Sequence, residues 1–177
     1  MYTKNKFVSP SVTLTVTTPA NGAAGDLYGF EFNVQRRLNF LPGFLSNLGL
    51  NANYTLIRST FTLPDGREVR VPRQANNLAN IAAYYDDGRF STRLAMNYKG
   101  AFIEEYGADA DSDSYYGAYT SLDLTVNWQV TPSVTLFGEA SNLTNQKLHY
   151  YLGNKERPLQ VEYYGPRFVV GVKAALF

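Results

Sequence analysis

Apolar and polar residues alternate with a period of two along most of this chain, and no other feature limits its folding options as sharply. In Leu122-Asp-Leu-Thr-Val-Asn-Trp-Gln-Val130 every even position is apolar and every odd position polar. The same phase runs through Leu48, Leu50, Ala52, Tyr54 and Leu56, set against Asn51, Asn53 and Thr55. It returns in Phe90, Leu94, Met96 and Tyr98 against Ser91, Arg93, Asn97 and Lys99. Tyr28, Phe30, Phe32 and Val34 alternate with Gly29, Glu31, Asn33 and Gln35. Successive side chains of a strand point to opposite faces, so each segment makes a strand with one apolar and one polar face. Helical periodicity is absent, and no stretch approaches the ~18 consecutive apolar residues of a membrane-crossing helix. The pattern predicts an all-β, antiparallel protein.

Eight strands are expected, near 8–18, 26–39, 47–62, 76–85, 89–102, 117–130, 133–143 and 162–177. Short turns fall at Leu41-Pro-Gly-Phe-Leu-Ser46, Asp86-Asp-Gly88 and Thr131-Pro132, and longer polar links at 19–25, 63–75, 103–116 and 144–161. Alternation of short and long links puts all turns at one end of an antiparallel sheet and all loops at the other. A transmembrane barrel has that asymmetry, with tight periplasmic turns and long extracellular loops.

Periodicity does not say which face meets water, and a soluble ligand-binding β-barrel would share it. Three details favour an apolar face turned to lipid. Several strands reach about a dozen residues, beyond the ~9–11 of a tilted crossing. Tyr28, Tyr54, Tyr85, Phe90, Tyr98 and Trp128 lie toward strand ends, where interfacial aromatics sit. Glu31, Arg93, Lys99, Asp123, Glu139 and Lys173 load the polar face with charge, as a wet lumen allows. Arg36 falls on the apolar face and is expected to snorkel to the periplasmic interface. The final segment, Phe168 to Phe177, is again extended and ends on an aromatic residue, as a closing barrel strand would. A closed eight-stranded outer-membrane barrel of structural or adhesive role is a further reading of the same strand count.

Little in the chain suggests chemistry. The net charge of +1 argues against a nucleic-acid footprint. The chain has no cysteine, which removes disulfides and thiolate metal sites. His149 is the single histidine and reads as a polar loop residue. Asp109-Ala-Asp-Ser-Asp113 resembles the start of a calcium loop, but Ser114 stands where glycine is needed and Thr120 where the bidentate glutamate belongs. It is expected to be a solvated acidic loop, extended by Glu104 and Glu105. No catalytic residue, cofactor or metal is expected. Arg67, Arg70 and Arg73 cluster in one long link, and Tyr150 and Tyr151 flank the last one; these are the candidate ligand contacts, since arginine forks and tyrosine faces suit anions and hydroxyls.

Ordered along the whole chain, several short motifs resemble the C-terminal part of a TonB-dependent receptor. Gly29-Phe-Glu-Phe resembles the family's Gly-x-Glu strand, and Leu38 through Tyr54 its periplasmic turn and next strand. Pro72-Arg-Gln-Ala-Asn-Asn77 resembles the entry to a descending strand, and Glu139-Ala-Ser-Asn-Leu-Thr-Asn145 the motif before the last long loop. Gln160-Val-Glu-Tyr-Tyr-Gly-Pro-Arg-Phe168 resembles the closing segment, in a Bacteroidetes-like form. The resemblance implies an outer-membrane location and residues 1–177 as the C-terminal segment of a barrel of about 22 strands. It implies a plug domain and a TonB-contacting part outside this chain, and TonB-dependent uptake of a large scarce nutrient such as an iron–siderophore, cobalamin or a glycan. Partners would be outer-membrane lipid, the rest of the barrel, the TonB complex and the assembly machinery. That machinery would read Gly171, Val172, Ala174, Leu176 and Phe177, although Ala174 and Leu176 occupy positions where the family usually carries aromatics. The chain lacks the apolar core of an export signal at its start and enters a strand almost at once, so a longer reading frame is expected.

Overall fold

A computed structural model describes residues 2–9, 12–18 and 25–175. Fourteen strands form in the order β1 (Tyr2–Ser9), β2 (Val12–Thr18), β3 (Gly25–Arg37), β4 (Leu48–Thr62), β5 (Glu68–Val69), β6 (Asn77–Asp86), β7 (Phe90–Lys99), β8 (Phe102–Glu105), β9 (Ser114–Tyr116), β10 (Tyr119–Thr131), β11 (Val134–Ser141), β12 (Leu148–Leu152), β13 (Pro158–Glu162) and β14 (Arg167–Ala174). The long strands make one antiparallel meander, β14-β11-β10-β7-β6-β4-β3, with β5 folded back on β4. The segment expected as a single strand over 8–18 is instead half of the β1–β2 hairpin, a two-stranded sheet of its own.

Register aligns the alternation across the sheet. Val34, Ala52, Ile81, Met96 and Leu122 face one another in a row over five strands. One residue along, Asn33, Asn53, Asn80, Asn97 and Ser121 make the corresponding polar row. Within the polar face Asn80 donates to Asn53 (2.7 Å) and Asn97 to Asp123 (3.0 Å). The other face has no cover: Phe30 is 60% exposed, Trp128 51% and Val170 86%. Water is a poor neighbour for so large an apolar surface, and lipid a good one. A soluble barrel would have turned this face inward and filled it.

Successive hairpins end at staggered heights. The β3–β4 pairing ends at Arg37 opposite Gly49, whose row continues to Tyr84 and Arg93. Ser91, at the β6–β7 turn, lies two residues further, and Thr131 lies four residues beyond Asn127, which faces Ser91. Such stagger is the shear that tilted strands need to curve into a barrel wall. Along β7, Phe90 to Tyr98 spans roughly 26 Å, or about 20 Å of height at a ~40° tilt, near the ~25 Å band of such barrels. Arg36 sits one residue from the end of the β3–β4 pairing.

No pairing joins β3 to β14 among the described residues, so the sheet is open and the closed eight-stranded barrel is not formed. At the turn end, Asp86 accepts from the Gly88 N–H, and Asp87 from the N–H groups of Arg89 and Phe90, which explains the tight Asp-Asp-Gly link. The Leu41–Ser46 turn winds into a short 3-10 helix, Gly43–Asn47.

The long links depart most from expectation. Read as polar loops, they carry β5, β8, β9, β12 and β13. The last four form a second sheet, β13-β12-β9-β8, that repeats the neighbour order of the strands beneath it. The β8–β9 hairpin crowns β7 and β10, and β12–β13 crowns β11 and β14. Hydrogen bonds from Gly100 N to Asn77 O and from Gly117 N to His149 O bridge the junction. The barrel wall thus continues past the apolar band.

Candidate functional site

At the long-link end the strands lift three connecting segments into contact. Arg67 follows the Pro64-Asp-Gly66 turn, where Asp65 accepts from both its backbone N–H and its Nε. Its Nη1 donates to both Asp113 carboxylate oxygens at 3.1 Å, and its Nη2 to the Gly107 carbonyl at 2.9 Å. One planar fork thereby ties residues 46 positions apart, a task a lysine ammonium could not reproduce. The two Arg67 N–H donors and charge hold the Asp65 carboxyl below its ordinary value of 3.8, while Asp65 and then Asp113 push the guanidinium pKa further up.

The acidic stretch 109–113 is a solvated loop only in part: Asp109 and Asp111 are exposed, whereas its last carboxylate is buried. Asp113 is 3% exposed, and accepts from the Gly107 N–H as well as from Arg67. Asp109 accepts from Ser112 Oγ and N, which lowers its pKa and closes a turn. Glu104 pairs with Arg73 at 2.8 Å. The Asp109 and Asp113 carboxylates are taken up by their own neighbours, and no cluster of three metal-ligating side chains occurs among the described residues.

Beside the clamp lies a cavity of about 570 Å³ lined by Arg67, Arg70, Gln74, Phe102, Tyr115 and Tyr151 among others. Tyr115 and Tyr151 stack at 5.2 Å, nearly parallel. Tyr106 closes the same end by donating to the Arg70 carbonyl; burial, then the Asp113 charge, pushes its phenol up to about 12. Burial likewise raises Tyr115 and Tyr151.

Of the sequence candidates, Arg67, Arg70 and Tyr151 come together at this cavity, Arg67 as a structural fork and Tyr151 as a buried wall. Arg73, in left-handed backbone (φ 61°), points its guanidinium to Glu104 and Glu105 instead. Tyr150 lies in the row with Phe102 and Tyr116, and meets the Tyr116 ring edge-on at 4.9 Å. Gly171 accommodates the Phe137 ring: a Cβ there would sit 2.5 Å from it, and Lys173 covers the ring at 4.8 Å. Val172 is exposed on the apolar face and Ala174 pairs with Val134. Leu176 and Phe177 lie outside the described residues. Sequence reasoning missed Asp113 and Gly107, because a buried acidic residue and a charged loop residue look alike until a partner arrives from another link.

A family model described as TonB dependent receptor-like, beta-barrel, matches residues 1–143. The chain belongs to the TonB-dependent receptor family. Two pesticin receptors of Yersinia enterocolitica, one from serotype O:8 / biotype 1B, are each 30% identical over 140 residues, 76% of this chain and 19% of the relative. The crystal structure of the siderophore receptor PiuA from Acinetobacter baumannii superposes with a TM-score of 0.62 at 15% identity, over 85% of this chain and 22% of that one. That likeness shows the fold. The chain spans about a fifth of the length of these relatives. TonB-dependent receptors are outer-membrane receptors and transporters, not enzymes, and combine a barrel with a plug domain and a TonB contact.

The resemblance motifs now have physical content. Asn142 and Asn145 both take left-handed backbone (φ 55° and 50°), the conformation asparagine tolerates best among ordinary residues. Asn142 Oδ1 accepts from Gln146 N, its Nδ2 donates to Gly165 O, and its own N–H donates to Asp123. The motif thus ties the exit of β11 to the entry of β14.

Proposed function

We propose that this chain is the C-terminal segment of the barrel wall of an outer-membrane TonB-dependent receptor that imports a large, scarce nutrient. An iron–siderophore is the first choice, with cobalamin or a glycan as the other members of the class. The observation that carries the reading is a lipid-suited sheet with, at its long-link end, a cavity walled by arginine and tyrosine. In this reading the long links face the medium, the turns face the periplasm, and the rest of the receptor supplies the remaining strands, the plug and the TonB contact. The names of the relatives, receptors for pesticin and for a siderophore, support iron–siderophore uptake.

Arg70 is the cavity's ligand-facing cation. Its guanidinium makes no hydrogen bond or ion pair among the described residues, whereas Arg67 and Arg73 are engaged. Removing a charge-assisted contact costs ~1.5–3 kcal/mol, roughly a tenfold to hundredfold loss of affinity. Iron-starved cells carrying the intact protein should take up a radiolabelled member of a ferric siderophore panel. Arg70→Ala should weaken that uptake at least about tenfold at unchanged outer-membrane level. Cells that import no ferric siderophore, cobalamin or oligosaccharide in a manner dependent on both this protein and TonB would remove the proposal.

A further inference from the structure

Asp113 sits where three separate long links meet, its carboxylate engaged by the first two and its main-chain carbonyl by the third. From the first, Arg67 brings its guanidinium to both carboxylate oxygens. From the second, Asp113's own link, the Gly107 N–H donates to the same carboxylate at 2.8 Å, and the Gly107 carbonyl accepts from Arg67. From the third, the Gly153 N–H donates to the Asp113 main-chain carbonyl at 2.9 Å, and Arg157 Nη1 to the neighbouring Asp111 carbonyl at 2.9 Å. The Asp113 side chain is 4% exposed and that of Arg67 24%, so solvent screening is weak on the acidic side.

We infer that Asp113 is a latch: a single buried residue, gripped at its carboxylate and at its main-chain carbonyl, through which residues 63–75, 106–113 and 153–157 are held beside the cavity as one body, so that losing Arg67 releases all three. The reason is desolvation. A buried carboxylate without its cation must regain water. Turning out to water takes the carboxylate from the Gly107 N–H and loosens the backbone at 113, whose carbonyl carries the bond to the third link. Residues 63–75 make no hydrogen bond to 153–157 among the described residues; the two are joined through Asp113 and, further off, through the β8–β9–β12 ladder, which the Arg73 N–H enters at the Ile103 carbonyl. The competing arrangement is also visible. Asp109 and Ser112 close a turn by themselves and could hold 106–113 in place whatever Arg67 does.

Amide hydrogen exchange of the intact protein in detergent micelles separates the two without any ligand, so its outcome is independent of the uptake reading. In Arg67→Ala, exchange should rise at least about tenfold in all three segments, with β7 and β10 unchanged. Arg67→Lys, which keeps the charge but loses the fork, should give a smaller rise over the same three segments. Asp113→Asn retains an acceptor for the Gly107 N–H and should free 63–75 most. A rise confined to 63–75 in both Arg67 variants, with 153–157 as protected as in the parent, would overturn the latch.

Discussion

Asp65 and Arg67 show how much a single turn accomplishes at the residue scale. Pro64-Asp-Gly66 turns the chain so that Asp65 accepts from Arg67 twice, which pre-aims the guanidinium at Asp113. The Asp65 carboxyl is held below its ordinary 3.8, chiefly by the Arg67 backbone N–H and then by its side chain. A carboxyl whose pKa is lower folded than unfolded stabilises the structure fully above the unfolded value and loses that contribution as pH falls through the folded one. Asp109, lowered by Ser112, acts in the same direction. The link should therefore stay ordered from pH 7 to about 5 and loosen below about 4. Since the chain has no cysteine, a fluorophore on Pro64→Cys reports the link directly. Its anisotropy should be flat down to pH 5 and drop below pH 4, and Asp65→Asn should show the low value already at pH 7. Gly29 illustrates a different constraint: a Cβ there would lie 2.7 Å from the Leu56 carbonyl of the neighbouring strand, which gives the Gly-x-Glu motif a steric cause.

Strands express the alternation as two chemically different faces, and β10 tests this most cleanly. Leu124 stands in the apolar row with Leu94 and Ala140, midway between the strand's polar start and Trp128. Asn127 stands on the other face, donating to Ser91. An arginine near the middle of the lipid face costs ~2–4 kcal/mol, whereas one in a wet lumen is hydrated. Leu124→Arg should abolish the heat-modifiable folded band on gels after assembly, and Asn127→Arg should leave it in place. Equal tolerance of the two would reverse or remove the assignment of faces. At this scale the sequence was readable because period-two burial writes itself into each residue separately: the seven long strands lie where alternation puts them. The crown strands were not readable. Phe102-Ile-Glu-Glu105 and Leu148 to Leu152 lack clean alternation, and they become strands because the β10–β11 pairing below brings β9 and β12 side by side.

For the whole molecule, the decisive feature is that the sheet has two edges, β3 and β14. Each presents unpaired backbone groups, costing several kcal/mol apiece in hydrocarbon unless another strand covers them. The described sheet is not closed, which fits membership of the TonB-dependent receptor family and not a small closed barrel. In the proposed receptor, β14 would have two tasks, recognition by the assembly machinery and sealing. Its pairing to β11 runs through Ala174 opposite Val134, short of the terminal residues. Deleting Leu176 and Phe177 from the intact protein should therefore lower outer-membrane yield a few-fold without preventing the β11–β14 pairing. Quantitative immunoblots of outer-membrane fractions and protease resistance of the assembled fraction measure the two effects separately. Unchanged yield would remove these residues from the recognition signal.

The positions of the seven long strands, their two faces, the side on which links are long and the family itself were present in the linear order of residues, since each depends on neighbours within one strand or on local turn chemistry. Where the charges of the long links go was not. Arg67 and Asp113 are 46 positions apart, and Arg70, Arg73 and Tyr151 look equivalent as exposed, ligand-ready side chains until the links are folded together. Burial of Asp113, the pairing of Arg73 with Glu104 and the opening of the cavity beside Arg70 all depend on residues brought from distant links. Periodicity records which side of a strand is dry; it holds no record of which charge, arriving from another loop, makes a carboxylate dry as well.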